Sequence, residues 1–172
     1  MKKWIIGLLL LLALAIPSYS QTQASAEVTA TVQSELTLVN DVAINFGALS
    51  ATSSPVMDPK DVTHTDIGQS YTIGEFTMGG SNGVGVNVSY DATVTLGDET
   101  NTITYTPSVY GHETTQASSA EVLNGADVTL GASGYKLWVG GNLGMLSSQP
   151  TGVYTATAGN GSGAFTITLE YN

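Results

Sequence analysis

The sequence predicts an all-β protein folded as an antiparallel β-sandwich. Runs of alternating apolar and polar residues recur at intervals of about ten residues, with turn signals between them. Gly, Thr, Ser, Val and Asn dominate the 172 residues, and this composition favours short strands and tight turns over helices. No repeat or linker divides the chain, so residues 21–172 are expected to form a single domain.

The first twenty residues have the layout of a secretory signal peptide. Lys2 and Lys3 precede an apolar run over residues 5–16, which is too short to span a bilayer, and Pro17 ends it. We expect cleavage after Ser20, with cleavage after Ala26 as the alternative. The protein is therefore expected to cross the inner membrane and to reside between the periplasm and the cell surface or the medium. With no Cys, neither a lipid anchor on Cys nor a disulfide is available.

The next stretch, residues 26–46, alternates with the period of a β-strand. It reads AEVTATVQSELTLVNDVAINF, and its larger apolar residues other than Val39 occupy even positions. Ser34 and Asn40 interrupt the row, which predicts bends between successive strands. Residues 50–70 are polar and contain Pro55 and Pro59, which predicts a loop or a loosely paired edge strand.

Two hairpins are predicted in the middle of the chain. Residues 71–78 and 84–90 flank the glycine-rich turn GGSNG, and residues 92–96 and 102–106 flank GDETN. The irregular stretch that follows contains one predicted helical turn, over residues 118–125, capped by Ser118 or Ser119. Further strands are predicted over residues 127–130, 135–139, 143–145, 153–157 and 165–171.

The strand YKLWV places Trp138 on the opposite face from its apolar neighbours. Tyr135, Leu137 and Val139 share the face predicted to be the core, so Trp138 is expected to be at least partly exposed. An exposed Trp could line a sugar-binding platform, but a Trp on a sheet surface is more often covered by a loop.

The ionisable residues do not form a recognisable catalytic or metal motif. Asp58, Asp61, His64 and Asp66 lie close together, but their spacing matches neither a calcium loop nor a zinc site, which predicts a solvated loop. The motif GNGSG at residues 159–163 lacks the G-x-S-x-G spacing of a nucleophile elbow and predicts a turn. The sequence therefore predicts a protein that is not an enzyme and that needs no cofactor or metal.

The charge balance is strongly acidic. All fourteen acidic residues lie at or after Glu27, so removal of Lys2 and Lys3 changes the net charge from −10 to 2 − 14 = −12. There is no Arg. Because phosphate contacts need Lys or Arg, the sequence argues against nucleic acid and anionic membranes as partners.

The last predicted strand is amphipathic over its whole length. Its sequence is GAFTITLEYN, and Phe165, Ile167, Leu169 and Tyr171 alternate with polar residues. An amphipathic strand with an unpaired edge recruits other chains unless something covers it.

Residues of this strand resemble the carboxy-terminal pattern of pilin subunits assembled by the chaperone–usher pathway. Tyr171 is penultimate and Gly159 is the fourteenth residue from the end, as in those subunits. The resemblance implies an incomplete immunoglobulin-like sandwich whose missing strand comes first from a periplasmic chaperone and then from the amino-terminal extension of the next subunit.

A second resemblance covers nearly the whole mature chain. The segments AEVTATVQSELTLVNDVAINFG, FTMGGSNGVGVNVSY, KLWVGGNL and SSQPTGVYTATAGNGSGAFTITLEYN are similar, in this order, to a family of uncharacterised secreted bacterial domains. That family is related to fimbrial subunits, as are spore-coat-protein-U-type pilins. Many pilins carry a Cys, and this chain departs from them in having none.

The pilin resemblance implies a donor strand in residues 21–32. Val28, Ala30 and Val32 would be its apolar side chains, and Phe165, Ile167, Leu169, Tyr171 and Gly159 would contact a neighbouring subunit or a chaperone. The alternative is that residues 28–32 form the first strand of a self-contained sandwich. Cleavage after Ala26 would leave a donor that is too short.

Three functions fit these observations. The preferred prediction is a structural subunit of a surface fibre, acting in cell adhesion and assembling with copies of itself or through a chaperone and usher. The first alternative is a monomeric secreted module that binds carbohydrate or another surface. The second is an eight-stranded outer-membrane barrel, against which the short strands and the lack of aromatic girdles argue.

Overall fold

The computed structural model describes residues 26–27, 29–147 and 149–172. The predicted signal peptide, residues 1–20, lies outside them. The chain separates into two units, residues 1–32 and residues 33–172. In the first unit, residues 26–27 and 29–32 form no strand and are exposed. None of the described helices is long and apolar enough to cross a membrane.

The second unit is built almost entirely of β-strands, which confirms the predicted all-β class, and its described residues contain no α-helix. The strands are β1 (Thr37–Val42), β2 (Val56–Met57), β3 (Gly74–Gly79), β4 (Gly85–Tyr90), β5 (Val94–Gly97), β6 (Thr102–His112), β7 (Ala120–Glu121), β8 (Ala126–Thr129), β9 (Tyr135–Asn142) and β10 (Ile167–Tyr171). A short 3₁₀ turn, Gln116–Ser118, precedes β7.

The strands form two antiparallel sheets. The larger sheet has the order β1-β3-β9-β6-β5, with β2 pairing with β9 and β7 with β6. The smaller sheet has the order β10-β4-β8. Both sheets therefore contain neighbours that are distant in sequence, because β3 pairs with β9 and β4 pairs with β10.

One apolar cluster joins the two sheets. The larger sheet contributes side chains such as Met78 and Leu137, and the smaller sheet contributes Val86, Val88 and Ile167. A second cluster lies around Phe46, Met57, Val94, Tyr105 and Leu143. These clusters account for the alternation in the sequence, because the inward residues of each strand are the apolar ones.

The predicted break at Asn40 coincides with a β-bulge. The pairing of β1 with β3 shifts register between Asn40 and Val42. Leu36, Leu38 and Ile44 pack against the core, as their even positions predict, but Val42 is exposed. The bulge explains this exception, because an extra residue in a strand changes the direction of the side chains next to it.

Strand β6 is longer than the sequence predicts. The prediction ended at residue 106, whereas β6 continues through Pro107 to His112. Its first part pairs with β5 and its second part, from Thr106, pairs with β9. Pro107 lies between the residues of β6 that pair with β5 and those that pair with β7. On that side of β6, its missing N–H therefore removes no hydrogen bond.

Four local predictions are wrong. Residues 71–78 and 84–90 do not pair as a hairpin, because β3 pairs with β1 and β9, whereas β4 pairs with β10 and β8 in the other sheet. Residues 153–157 and 143–145 form no strand, and in the former only Thr155 pairs with another segment, through a single bridge to Gly97. The helical turn lies at Gln116–Ser118 and overlaps the predicted stretch only at Ser118, and Ser119 is its carboxy-terminal cap. In each case the prediction rested on a local residue pattern, whereas pairing with distant segments decided which element formed and which strand it joined.

Candidate functional site

The predicted site strand, β10, lies at the edge of the smaller sheet. It pairs with β4 along its whole length, from Ile167 opposite Tyr90 to Tyr171 opposite Val86. On its other side, the described part of the chain places no strand. By contrast, the edge of β5 is covered, because Thr95 exchanges hydrogen bonds with Ser162 and Gly97 with Thr155.

The unpaired edge of β10 presents the backbone groups of Ile167, Leu169 and Tyr171. In an antiparallel ladder, alternate residues direct their N–H and C=O groups to the same neighbour. The oxygen of Thr166 accepts from the N–H of Asp91, and the N–H of Asn172 donates to Gly85, so the even-numbered residues face β4. The odd-numbered residues between them face the open side.

The same odd-numbered residues carry the apolar side chains. Ile167 is buried, and Leu169 and Tyr171 are half-buried against the cluster that joins the sheets. Phe165 lies just before the strand and packs against both clusters, with its ring centre 6.2–6.5 Å from those of Phe76, Tyr90 and Tyr105. The structure thus brings together the four residues that the alternating pattern singled out.

An apolar cleft of about 950 Å³ opens beside the start of β10. Its lining includes Ile44, Phe46, Val94, Leu96, Tyr105 and Phe165. None of the described residues that line it carries a charge. The hydroxyl of Tyr105 donates to the carbonyl of Gly140, so this polar group is already satisfied. The cleft therefore suits apolar, uncharged side chains.

Strand β1 borders the same opening. It forms the edge of the larger sheet and pairs only with β3 among the described strands. At one end, the hydroxyl of Tyr171 donates to the carbonyl of Ser34 at 2.8 Å. At the other end, Ile44 and Phe165 both line the cleft. Residues in or next to both strands therefore line the cleft, and neither strand has a partner on its outer side among the strands that the structure describes.

Gly159 does not lie on β10. It belongs to a turn that packs against the connection between β5 and β6, and its N–H donates to the Glu99 carboxylate at 3.3 Å. In the same turn, Asn160 accepts from the N–H of Glu99 and donates to the carbonyl of Asn101. The GNGSG motif is therefore a turn in the structure, as predicted.

The predicted donor residues lie in the first unit. Val28 is outside the described residues. Ala30 and Val32 are exposed and belong to no strand.

The acidic loop, which we define as residues 58–66, is held by hydrogen bonds between its side chains and backbone N–H groups. Asp58 accepts from the N–H groups of Lys60 and Thr63, and Asp66 accepts from that of Ser54. His64 Nδ1 accepts from the N–H of Asp58, so Nε2 carries the proton and donates to Asp61 at 2.7 Å. Among the described residues, no group of three or more His, Asp and Glu side chains is arranged to hold a metal.

Asp61 should make this loop sensitive to acid. Hydrogen bonds from His64 and then Tyr71 lower the pKa of Asp61 below its ordinary value of 3.8. A lowered folded-state pKa contributes stability that is present above the unfolded value and is lost as the pH falls through the folded value. We expect the loop to loosen below about pH 4, as measured by hydrogen exchange over residues 58–71. Asp61→Asn should remove this pH dependence, and Asn accepts the positive φ of 59° at this position. An unchanged acid response in the variant would contradict the assignment.

Trp138 is buried, which corrects the prediction that it is partly exposed. Only 5% of its surface is accessible. It lies between Glu75 and Tyr110 on the neighbouring strands, and Lys60 from the acidic loop lies over the ring of Tyr110. Gln116 also donates to the carbonyl of Pro59 on that loop. The loop covers this side of the sheet, so Trp138 offers no platform for a sugar.

Sequence reasoning missed the residues that line the cleft and those that contact the Tyr171 hydroxyl. Ile44 and Phe46 were assigned only to a strand, and the even-numbered pattern carried no sign that they border an opening. The pattern predicts a bend at Ser34 and a turn that includes Ser81. Neither pattern could reveal that both contact Tyr171.

No protein-family model matches this chain, and no curated protein is significantly similar to it. The resemblance to pilin subunits therefore stays a prediction.

Proposed function

We propose that this protein is an exported structural subunit of a surface fibre, with a pilin-like, immunoglobulin-like sandwich that accepts a strand from another molecule. The observation that carries the proposal is the edge of β10. Within the described part of the chain, no strand pairs with the backbone groups of Ile167, Leu169 and Tyr171, whose side chains face the core. Phe165, just before the strand, lines an apolar cleft. A strand that pairs there would satisfy the backbone groups and fill the cleft together.

The chemistry of the cleft matches that of residues 28–32. This segment reads VTATV and is uncharged, as is every residue that lines the cleft. The rest of the chain is strongly acidic, with fourteen acidic residues. An uncharged segment therefore meets an uncharged surface, and the repulsion between two acidic molecules acts only at longer range, where salt screens it.

The arm, which we define as residues 21–32, would contribute both apolar side chains and backbone hydrogen bonds to the contact. Its better apolar side chains are Val28, Ala30 and Val32. Buried apolar side chains of the size of Val contribute roughly 1.5–3 kcal/mol each, before the cost of ordering the arm. Backbone hydrogen bonds to Ile167, Leu169 and Tyr171 would fix how the arm is aligned along β10. A periodic row of contacts along one strand suits an assembly of identical subunits.

A periplasmic chaperone would be a second partner of the same edge. Before assembly, β10 would expose unpaired backbone next to an apolar cleft, and such edges aggregate. A chaperone strand that occupies the edge would prevent this during export. The proposal thus includes an usher-type pathway, and it requires cleavage after Ser20 so that the arm survives.

Deletion of the arm tests the proposal. The secreted protein should form SDS-resistant ladders in unheated samples, and deletion of residues 21–32 should abolish them because no donor strand remains. Sequencing the amino terminus of the secreted protein establishes that the arm is present before the comparison is made.

A pair of variants of equal length provides the control. Val28, Ala30 and Val32 replaced by Ser should remove the ladders, whereas Thr29 and Thr31 replaced by Ser should preserve them. Circular dichroism shows whether each variant retains its β-structure. Ladders that persist after deletion of the arm would refute strand donation by residues 21–32.

A further inference from the structure

We propose that the Tyr171 hydroxyl is a positioning group that holds the start of the folded domain in place and thereby retains β1 in the larger sheet. This property belongs to a single folded chain and does not depend on assembly. It concerns three residues, Tyr171, Ser34 and Ser81, which we call the Tyr171 clamp.

Three hydrogen bonds close the clamp into a ring. The Tyr171 hydroxyl donates to the carbonyl of Ser34 at 2.8 Å and accepts from the N–H of Ser81 at 2.8 Å. The N–H of Ser34 donates to the Ser81 hydroxyl at 2.7 Å. The side chain of one strand thus connects the residues that precede β1 to the turn between β3 and β4.

Gly80 allows the hydroxyl to reach this position. A Cβ atom at Gly80 would lie 2.5 Å from the Tyr171 oxygen and 2.8 Å from a methyl group of Leu130. Both distances are too short for real atoms, so any side chain at this position would displace the tyrosine. The glycine is therefore required by a close approach, and its own φ is not positive.

The clamp lies where β1 is most easily detached. The pairing of β1 with β3 begins at Thr37 opposite Gly79, next to Ser81. Because β1 is an edge strand, its first pair can open without disturbing any other strand. The clamp adds hydrogen bonds that must break before this pair opens, and it directs any force applied at Gln33 into β10.

Amide hydrogen exchange measured by NMR on the monomeric fraction of the secreted protein tests the clamp. Tyr171→Phe keeps the ring and removes only the hydroxyl. We expect exchange at Ser34 and over β1 to become at least about five times faster, because both hydrogen bonds of the hydroxyl are lost. The Ser34 N–H is informative because its own acceptor, Ser81, is not altered.

Tyr90→Phe is the matched control. The Tyr90 hydroxyl also donates to a backbone carbonyl, that of Val122, at 2.9 Å, but it does not contact the clamp. It should leave exchange at Ser34 and β1 unchanged. Ser81→Ala should reproduce the effect of Tyr171→Phe, and the double variant should add little to either, because the bonds form one unit.

Two results would overturn the proposal. One is unchanged exchange at Ser34 and β1 in both Tyr171→Phe and Ser81→Ala. The other is an equal increase at all amides, which would indicate a general loss of stability and no positioning role. Neither result depends on whether SDS-resistant ladders form, so the clamp and the proposed assembly fail separately.

Discussion

A methyl group on the backbone nitrogen of Leu169 should abolish the SDS-resistant ladder while leaving the domain folded. This N–H faces the open side of β10, away from β4, as the hydrogen bonds of Thr166 and Asn172 establish. A methyl group there removes one donor from the edge and blocks the approach of a second strand. The Leu169 side chain and the pairing with β4 are retained. The protein can be made by joining a synthetic carboxy-terminal peptide to the rest of the chain, and ladders are compared in unheated gels.

The same modification at Thr168 is the control. Its N–H faces β4, opposite Ser89. A methyl group there should break a hydrogen bond between β10 and β4 and destabilise the fold. The two proteins differ only in the position of one methyl group. Either of two results would show that the open edge of β10 is not the site of assembly. One is that the Leu169 derivative retains its SDS-resistant bands. The other is that both derivatives lose these bands together with an equal loss of stability.

Leu137→Ala should lower the free energy of unfolding by about 3–5 kcal/mol. Leu137 is fully buried in β9, which pairs with both β3 and β6, and it belongs to the cluster that joins the two sheets. Because strands surround it on several sides, the site cannot collapse fully and a cavity remains. Urea unfolding followed by the fluorescence of Trp138, the only tryptophan after residue 20, measures the change.

Val39→Ala provides the comparison for this measurement. Val39 lies on β1 with 53% of its surface exposed, and its truncation should change the free energy by less than about 0.5 kcal/mol. A loss below about 1 kcal/mol for Leu137→Ala would mean that the two sheets do not share the core described above.

Much of the fold was predictable because strand periodicity is a local property. The residues of β4 and β9 that the alternation assigned to the core, such as Val86, Val88, Leu137 and Val139, are fully buried. The apolar side chains of β10 also lie on the predicted face. A period of two requires only that one side of a strand meets the core, whichever strand lies next to it.

Trp138 and residues 153–157 show where local pattern was insufficient. Both belong to alternating runs, yet the acidic loop covers the first, and the second finds no partner strand beyond one bridge. Burial of an outward side chain and formation of a strand each depend on a segment that is distant in sequence. Alternation carries no information about that segment.

The sequence by itself determined the all-β class, the core residues of β4 and β9, and the apolar character of β10. Only the tertiary structure decided that β10 lies at a sheet edge, that its inward residues present the unpaired backbone, and that Tyr171 reaches Ser34 and Ser81. The physical reason is that side-chain direction follows from local backbone geometry, whereas strand neighbours are chosen by contacts between distant parts of the chain.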